Sequence, residues 1–271
     1  MKKLEKLKGI LKKMRSVLVA YSGGVDSTFL IKVAADVLGG NVLAVTAISP
    51  TYPRQELALA KKMAGILGVR HKVIKTRELK NKIFTANTPG RCYYCKRELF
   101  SNLKKIADRE GIRFVLDATN ASDIRDYRPG NKAKKELGVR SPLQEAGLGK
   151  KDIRRLSKNF GLLTWDKPSL ACLASRIPYG IKISLPILRR IEKAEEFLKQ
   201  KGFTQVRLRD YNGLCRIEVP LDEIPRIIAE HKAIVDKLKG LGYHYVTVDL
   251  EGYRSGSMNL VLRRKARQSL S

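Results

Sequence analysis

Two hydrophobic patterns alternate along the first 165 residues of the chain. Short segments with the length and character of buried strands occur at residues 17–21, 42–48, 71–75, 113–118 and 162–165. Apolar residues recur at helical spacing within residues 2–14, 28–38, 54–67, 95–110 and 150–160. Strands that alternate with helices form parallel sheets covered on both faces. The pattern therefore predicts an α/β fold with a doubly wound parallel sheet.

The order of predicted elements changes after residue 165. The next stretch is rich in Pro, Gly and Ser, and the elements beyond it are a helix at 186–201, strands at 205–209 and 215–220, a helix at 221–239 and a strand at 243–250. This order is typical of a small α+β unit. The predicted parts are a first domain at 1–165, a linker carrying Cys172 at 166–183, a smaller α+β domain at 184–260 and a basic tail at 261–271.

Composition narrows the class of protein. The chain has 271 residues, of which 43% are hydrophobic and 30% charged, and this balance is typical of a globular protein. No apolar run reaches the roughly 18 residues needed to cross a bilayer, and the basic first eight residues lack the apolar core of a signal peptide. We therefore expect a cytoplasmic protein with no membrane partner.

The charge of the chain is strongly positive. Lys and Arg number 55 against 26 Asp and Glu, which gives a formal net charge of +29. A basic surface attracts nucleic acids, nucleotides and other anions, but it also keeps a protein soluble. The basic residues are scattered along predicted helices, so the charge alone leaves both interpretations open.

The segment Ser22-Gly-Gly-Val-Asp-Ser27 joins the first predicted strand to a helix. A helix N-terminus offers unpaired backbone N–H groups, and glycines let the backbone approach an anion closely. The hydroxyls of Ser22 and Ser27 add two donors, so the turn is predicted to bind a phosphate or pyrophosphate. It is not the Walker pattern, which requires a Lys after its last glycine. A tight turn without a ligand is the alternative.

The same segment resembles the PP-loop of the ATP pyrophosphatases, which cleave ATP between the α and β phosphates. The resemblance implies that ATP and the leaving pyrophosphate are bound by Ser22, Gly23, Gly24, Val25, Asp26 and Ser27. It also implies that Asp26 helps to hold Mg²⁺, which neutralises charge in such a transfer.

Two polar residues follow the strand predicted at 113–118. Ligands of open α/β sheets bind at the carboxyl edge of the strands, so Thr119 and Asn120 are expected to contact the nucleotide or its metal. A helix cap or a turn stabilised by the Asn side chain is the alternative.

The chain contains four cysteines. Cys92 and Cys95 are spaced to turn toward one metal, and neighbouring Arg and Lys residues favour their thiolate forms. With Cys172 they make three thiols, too few for a closed four-cysteine zinc site but suited to a 4Fe-4S cluster with one open iron. Cys215 lies in a predicted strand and is expected to fill the core. Inert thiols are the alternative for the other three.

Taken together, the motifs resemble those of the LarE family, ATP-dependent sulfur insertases of nickel-pincer nucleotide synthesis. Besides the PP-loop and the Cys92–Cys95 pair, the resemblance rests on the segments Asp117-Ala-Thr-Asn-Ala-Ser-Asp123, Asp126-Tyr-Arg-Pro-Gly130, Gly138-Val-Arg-Ser-Pro-Leu143, Glu145-Ala-Gly147, Trp165-Asp-Lys-Pro168, Cys172-Leu-Ala-Ser-Arg-Ile-Pro-Tyr-Gly180, Val206-Arg-Leu-Arg209, Arg216-Ile-Glu-Val219 and Gly256-Ser-Met-Asn259. It spans nearly the whole chain. It implies that the protein adenylates a carboxylate of pyridinium-3,5-biscarboxylic acid mononucleotide and replaces oxygen by sulfur.

The resemblance also assigns roles to individual residues. It implies that Ser175, Arg207 and Arg209 bind the substrate phosphate and that Glu218 belongs to the acidic set near the active centre. A solvated strand face is the alternative for the two arginines. Cys172 either gives up its own sulfur or ligates, with the other two cysteines, a 4Fe-4S cluster whose open iron carries a hydrosulfide. Because all three cysteines are present, the cluster route is favoured, with external sulfide as donor and a homo-oligomeric enzyme expected.

Other PP-loop functions compete with this prediction. Enzymes that thiolate tRNA share the loop, some use three cysteines with a cluster, and the charge of +29 favours them. However, the sequence shows no recognisable RNA-binding domain, so a nucleic-acid partner is not expected. Amide ligation would leave the thiols without a role and would need a glutaminase domain.

Overall fold

The computed structural model describes residues 2–125, 129–168 and 171–262. Most of the tail predicted at 261–271, part of the motif at 126–130 and residues 169–170 lie outside the described residues. The chain divides into a first unit, residues 1–84 and 89–170, and a second unit, residues 85–88 and 171–271.

A four-stranded parallel sheet forms the centre of the first unit. Its strands are β1 (Val17–Ala20), β2 (Val42–Ile48), β3 (Arg70–Lys75) and β4 (Phe114–Leu116). They are ordered β3-β2-β1-β4, and all three neighbouring pairs are parallel. The order reverses between β1 and β4, and such a reversal opens a crevice at the carboxyl ends of the strands. Residues 22–27, called the PP-loop below after the motif that they resemble, follow β1 at this edge.

Helices cover both faces of the sheet. They are α1 (Lys2–Met14), α2 (Val25–Leu38), α3 (Arg54–Ile66), α4 (Lys82–Thr85), α5 (Arg91–Arg109), α6 (Gly130–Glu136), α7 (Pro142–Glu145) and α8 (Lys150–Asn159). Val17 and Val19 of β1 belong to one buried cluster with Phe29 of α2. Leu18 belongs to a second cluster with Phe100 of α5. Alternate residues of β1 thus face opposite layers, which confirms the predicted doubly wound α/β fold.

The strand predicted at 162–165 is wrong, because the chain forms a turn there in which Trp165 N donates to Leu162 O. The place beside β4 is taken by Arg140, which forms a parallel bridge with Leu116. Its N–H donates to Val115 O, and its carbonyl accepts from Asp117 N. The edge groups of β4 near Arg140 are therefore already hydrogen-bonded.

The second unit contains a three-stranded mixed sheet. Its elements are α9 (Leu185–Gln200), β5 (Arg207–Tyr211), β6 (Leu214–Glu218), α10 (Ile224–Ala229), α11 (His231–Gly240) and β7 (Tyr245–Val248). β6 lies in the middle, antiparallel to β5 and parallel to β7. This arrangement confirms the predicted smaller α+β unit.

A short piece of chain from far upstream completes the second unit. Asn87 is fully buried, and its side-chain amide donates to the carbonyls of Ile177, Pro178 and Ile181 at 2.7–3.3 Å. In return, Gly180 N donates to Asn87 O, and Ile183 N donates to Thr85 O. Residues 85–88 thus belong to the second unit although the chain on either side of them belongs to the first.

Among the described residues, every helix is too short or too polar to cross a lipid bilayer.

Candidate active site

The PP-loop is held by hydrogen bonds among its own residues. The Ser27 hydroxyl lies 3.1 Å from the Ser22 hydroxyl, accepts from Ser22 N and donates to Gly24 O. Gly24 is the N-cap of α2, and within the described part of the chain no side chain caps this end of the helix. The first N–H groups of α2 are therefore available to a ligand, and the helix dipole favours an anion at this end.

Gly23 is a position where no other residue fits well. Its φ is +68°, and a Cβ atom there would lie 3.0 Å from the Cβ of Ala60 on α3. The PP-loop therefore sits directly against α3 and adopts a backbone conformation that favours glycine. The glycine at this position is required by the close contact as well as by the backbone angle.

We expect Gly23→Ala to weaken pyrophosphate binding, because the left-handed backbone costs about 1–2 kcal/mol and the contact with Ala60 displaces the loop. Gly68→Ala is the matched control, since Gly68 also has a positive φ, +62°, but has open space around its Cβ position. Denaturation should show both variants destabilised, whereas titration calorimetry should show weaker pyrophosphate binding for Gly23→Ala alone. Equal affinity in the two variants would contradict the role of the contact.

Asp26 combines one paired and one unpaired carboxylate oxygen. Oδ2 accepts a hydrogen bond of 2.6 Å from Lys150 Nζ, at the start of α8. Oδ1 is buried and has no hydrogen-bond partner among the residues that the structure describes. A buried oxygen without a partner is costly, and it suits a carboxylate that ligates Mg²⁺ when nucleotide is bound. Asp26 therefore fits the metal predicted from the sequence.

A second lysine, Lys167, contacts the PP-loop. Lys167 Nζ donates to Gly23 O at 3.3 Å and also to the Glu56 carboxylate on α3. The Tyr52 hydroxyl donates to Ser22 O at 2.8 Å. Burial raises the pKa of Tyr52, and the Glu56 charge raises it further, so this phenol stays neutral and acts as a hydrogen-bond donor to the loop.

A polar network lies at the carboxyl end of β4. Asp117 accepts hydrogen bonds from the Thr119 hydroxyl at 2.6 Å and from the Ser141 hydroxyl at 2.5 Å. The buried Lys134 donates to Ser141 at 2.8 Å. Asn120 Oδ1 accepts from Ser122 N at 2.9 Å, which forms a turn. Thr119 and Asn120 thus lie at the predicted edge, and these hydrogen bonds of their side chains stabilise the loop.

Cys92 and Cys95 lie on the first turn of α5, which begins at Arg91, four residues earlier than predicted. Cys92 is exposed and Cys95 is half-buried. Residues three apart share one helix face, so Cys92 and Cys95 lie on the same face of α5. No group of three or more His, Cys, Asp or Glu arranged to hold a metal ion occurs among the described residues.

Cys172 occupies an exposed position at the start of a short 3₁₀ turn, Leu173–Arg176, in the second unit. The buried Arg176 guanidinium forms two hydrogen bonds of 2.9 Å with Glu195 on α9. Its remaining nitrogen, Nη1, donates to the carbonyls of Ala171 at 2.6 Å and Cys172 at 3.1 Å. A buried ion pair therefore fixes the backbone that carries the Cys172 thiol.

The residues predicted to bind the substrate phosphate lie beside this turn. Arg209 on β5 donates to both carboxylate oxygens of Glu218 on β6 at 2.5–2.9 Å. Its Nη1 donates to Ser175 O at 3.1 Å, and its Nη2 donates to the Ser257 hydroxyl at 3.1 Å. The structure thus brings together Ser175, Arg209 and Glu218, three of the residues selected from the sequence.

Arginines outnumber acids in this cluster. Burial lowers the pKa of Arg207, and the nearby Arg176 charge lowers it further. Among the described residues, four guanidiniums lie near three carboxylates: Arg176, Arg207, Arg209 and Arg216 with Glu195, Glu218 and Asp249. An added phosphate would balance the excess positive charge and stabilise the charged form of Arg207.

Cys215 is fully buried on β6, which confirms the prediction that it fills the core. Burial raises the pKa of its thiol to about 12. The thiol is therefore protonated at neutral pH and unsuited to act as a nucleophile or ligand.

The sequence analysis did not identify Lys150 and Lys167, two cations that contact the PP-loop although they lie far from it along the chain. Lys150 and Lys167 follow Asp26 and Gly23 by more than 120 residues, and neither lies in a glycine-rich phosphate motif. Lys167 does fall within the segment Trp165-Asp-Lys-Pro168 that carried the resemblance. That segment was the available signal for its role.

Comparison with known proteins gives three similar chains. The protein is 44% identical over 264 residues to an uncharacterized protein of Synechocystis, with 97% of this chain and 98% of the relative covered. It is 40% identical over 255 residues to pyridinium-3,5-bisthiocarboxylic acid mononucleotide synthase of Lactiplantibacillus plantarum, covering 94% and 92%. An uncharacterized protein of Methanocaldococcus jannaschii is 34% identical over 258 residues, covering 94% and 98%. No protein-family model matches the chain.

Proposed function

This chain belongs to the LarE family, and we propose that it is an ATP-dependent sulfurtransferase that makes a thiocarboxylate of pyridinium-3,5-biscarboxylic acid mononucleotide. The observation that carries the proposal is the 40% identity to the named synthase over 94% of this chain and 92% of that protein. The product would serve nickel-pincer nucleotide synthesis.

The first half of the reaction is assigned to the PP-loop. A substrate carboxylate oxygen attacks the α-phosphorus of ATP, the bond to the β-phosphate oxygen breaks, and pyrophosphate leaves. The free N–H groups of α2 and the hydroxyls of Ser22 and Ser27 are suited to bind that pyrophosphate. Mg²⁺, held by Asp26, would neutralise phosphate charge. The unpartnered Asp26 Oδ1 supports this role.

The substrate phosphate is assigned to the arginine cluster of the second unit. Arg207 and Arg209 are alternate residues of β5, so they project from one face of the strand. Glu218 already holds the Arg209 guanidinium in place through two hydrogen bonds. We propose that Arg207, Arg209 and Ser175 bind the phosphate and that Glu218 orients Arg209 for this contact.

The second half of the reaction replaces oxygen by sulfur, and Cys172 takes part in it either as a cluster ligand or as the sulfur donor itself. A sulfur nucleophile attacks the acyl carbon of the adenylate, and AMP leaves with the original carboxylate oxygen. The backbone carbonyl of the exposed Cys172 accepts a hydrogen bond from the Arg176 side chain, which suits a thiol that must present its sulfur in a fixed position.

We favour Cys92, Cys95 and Cys172 as ligands of a 4Fe-4S cluster, which would supply an open iron site for hydrosulfide. All three thiols are exposed or half-buried and thus accessible to iron, but the described residues contain no group of three metal-ligand side chains gathered in one place. A Cys172 that surrenders its own sulfur is the second route. An external sulfide donor, a homo-oligomeric state and a cytoplasmic location are further parts of the proposal.

The function is tested with protein purified without oxygen. We expect wild type with ATP, Mg²⁺ and a sulfide source to convert the pyridinium biscarboxylate nucleotide to a product with the mass of an oxygen-to-sulfur exchange, releasing AMP and pyrophosphate. Bulk tRNA at near-physiological salt is the comparison substrate, because non-specific phosphate binding weakens as salt rises. Thiolation of tRNA with no reaction of the nucleotide would contradict the proposal.

The sulfur route is tested on the same preparations by iron and sulfide analysis. We expect iron in wild type and a large loss of iron in Cys92→Ala. Wild type without iron, in which Cys172 loses the mass of H₂S after one turnover, would overturn the cluster and establish the sacrificial route.

A further inference from the structure

We propose that Lys167 is a phosphate-binding residue of the PP-loop, and that Glu56 holds its ammonium group until the polyphosphate of ATP takes the place of that carboxylate. The inference rests on the proposed function only in requiring that the loop binds ATP.

The position of the Lys167 ammonium group supports this role. It donates to a backbone carbonyl of the loop itself, Gly23 O, at 3.3 Å. Its side chain is only 16% exposed and that of Glu56 only 12%, so the ion pair is largely shielded from water. A cation in such a place interacts strongly with a charge that arrives at the loop.

The loop needs such a cation because its own phosphate-binding groups carry little positive charge. The dipole of α2 contributes roughly half a positive charge at its N-terminus, whereas pyrophosphate carries several negative charges. The Ser22 and Ser27 hydroxyls are neutral donors. Lysine side chains that contact the loop or its Asp26 are therefore the groups that can balance the leaving pyrophosphate.

Both loop lysines have a carboxylate partner. Lys150 bonds to Asp26, and Lys167 bonds to Glu56. Asp26 has a separate task as the predicted Mg²⁺ ligand, but Glu56 has none. Glu56 is therefore best explained as a placeholder that keeps this largely shielded ammonium group paired until a phosphate binds.

A competition of this kind makes two opposite predictions for pyrophosphate affinity, measured by titration calorimetry with inorganic pyrophosphate and Mg²⁺. Lys167→Gln should weaken binding by about 10- to 100-fold, the effect of one charge-assisted hydrogen bond. Glu56→Gln should tighten binding, because pyrophosphate no longer has to displace a carboxylate. AMP lacks the leaving phosphates, so its affinity should stay within about threefold in both variants.

The double variant Glu56→Gln/Lys167→Gln separates competition from a general change in charge. If Glu56 acts through Lys167, Glu56→Gln should give no gain in pyrophosphate affinity when Lys167 is also replaced. Lys151→Gln, an exposed neighbour on α8, is the control for removal of one positive charge. Thermal unfolding of each variant checks that the loop still folds.

The outcomes distinguish this inference from the proposed function. One contrary result is unchanged pyrophosphate affinity in Lys167→Gln, and another is the same gain from Glu56→Gln with and without Lys167. Either result would overturn the role of Lys167 and leave the proposed function untouched. Equal losses of AMP and pyrophosphate affinity in Lys167→Gln would indicate a purely structural lysine and would also overturn it. A wild-type protein that binds neither ATP nor pyrophosphate would instead contradict the proposed function.

Discussion

Replacing Cys172 by alanine is expected to abolish sulfur transfer while ATP is still cleaved. The thiol is assigned to the second half of the reaction, and its loss leaves the PP-loop in the first unit intact. We expect thiocarboxylate formation to fall by at least about 1,000-fold. Pyrophosphate release in a single turnover should continue at a rate close to that of wild type. Mass spectrometry of the nucleotide and a pyrophosphate assay measure the two steps separately.

Cys215→Ala is the matched control for this experiment. Cys215 lies in the same unit but is fully buried, with a thiol pKa raised to about 12 by burial. Its replacement should leave sulfur transfer unchanged and lower the free energy of unfolding by about 1 kcal/mol. Residual sulfur transfer in Cys172→Ala comparable to wild type would show that another group delivers the sulfur.

The second large effect concerns the buried ion pair between Arg176 and Glu195, which fixes the backbone at Cys172. Arg176→Met is expected to lower the free energy of unfolding by about 3–5 kcal/mol, because it leaves the Glu195 carboxylate buried without its partner. The side chains of the pair are only 3% and 4% exposed. The variant should also increase the alkylation rate of Cys172, since the carbonyls of residues 171 and 172 lose a shared donor. Urea denaturation and peptide mass mapping measure the two effects.

An exposed ion pair in the same unit provides the comparison. Arg254 bonds to Glu251 at the surface, with side chains 38% and 68% exposed, so Arg254→Met should cost less than about 1 kcal/mol. A similarly small effect of Arg176→Met would refute the importance of the buried pair.

The pH dependence of stability gives an independent check on this pair. Burial raises the pKa of Glu195. The Arg176 charge and hydrogen bonds, with smaller contributions from Arg207 and Leu208 N, together lower it by more, so the net pKa lies below the ordinary value. The pair therefore stabilises the protein fully above the ordinary glutamate pKa of about 4.3. This contribution is lost as the pH falls from there through the lowered pKa. In Arg176→Met, the acid-side loss of stability should be shallower.

The sequence predicted what is encoded locally. The apolar run at residues 17–21 and the glycines after it specified β1 and the PP-loop, because both depend on neighbouring residues. The parallel sheet followed from the alternation of the two periods. The burial of Cys215 followed from its place in a strand.

Contacts between distant residues could not be predicted in the same way. The segment 162–165 has the composition of a strand, but Arg140 already occupies the edge of β4 beside which it would pair. The bond between Lys167 and the loop depends on where the chain returns after α8. The pairing of Arg176 with Glu195 likewise depends on the packing of α9.

The placement of residues 85–88 has a consequence for dissecting the protein. Since these residues complete the second unit, the chain passes between the units three times, and no single cut yields two self-sufficient fragments. A fragment ending at residue 170 would retain Asn87 but lose the three carbonyls that satisfy its amide. A fragment beginning at residue 171 would lack the segment that pairs with Gly180 and Ile183. The part of the chain that carries Cys172, residues 171–271, can therefore be studied alone only if residues 85–88 are supplied with it.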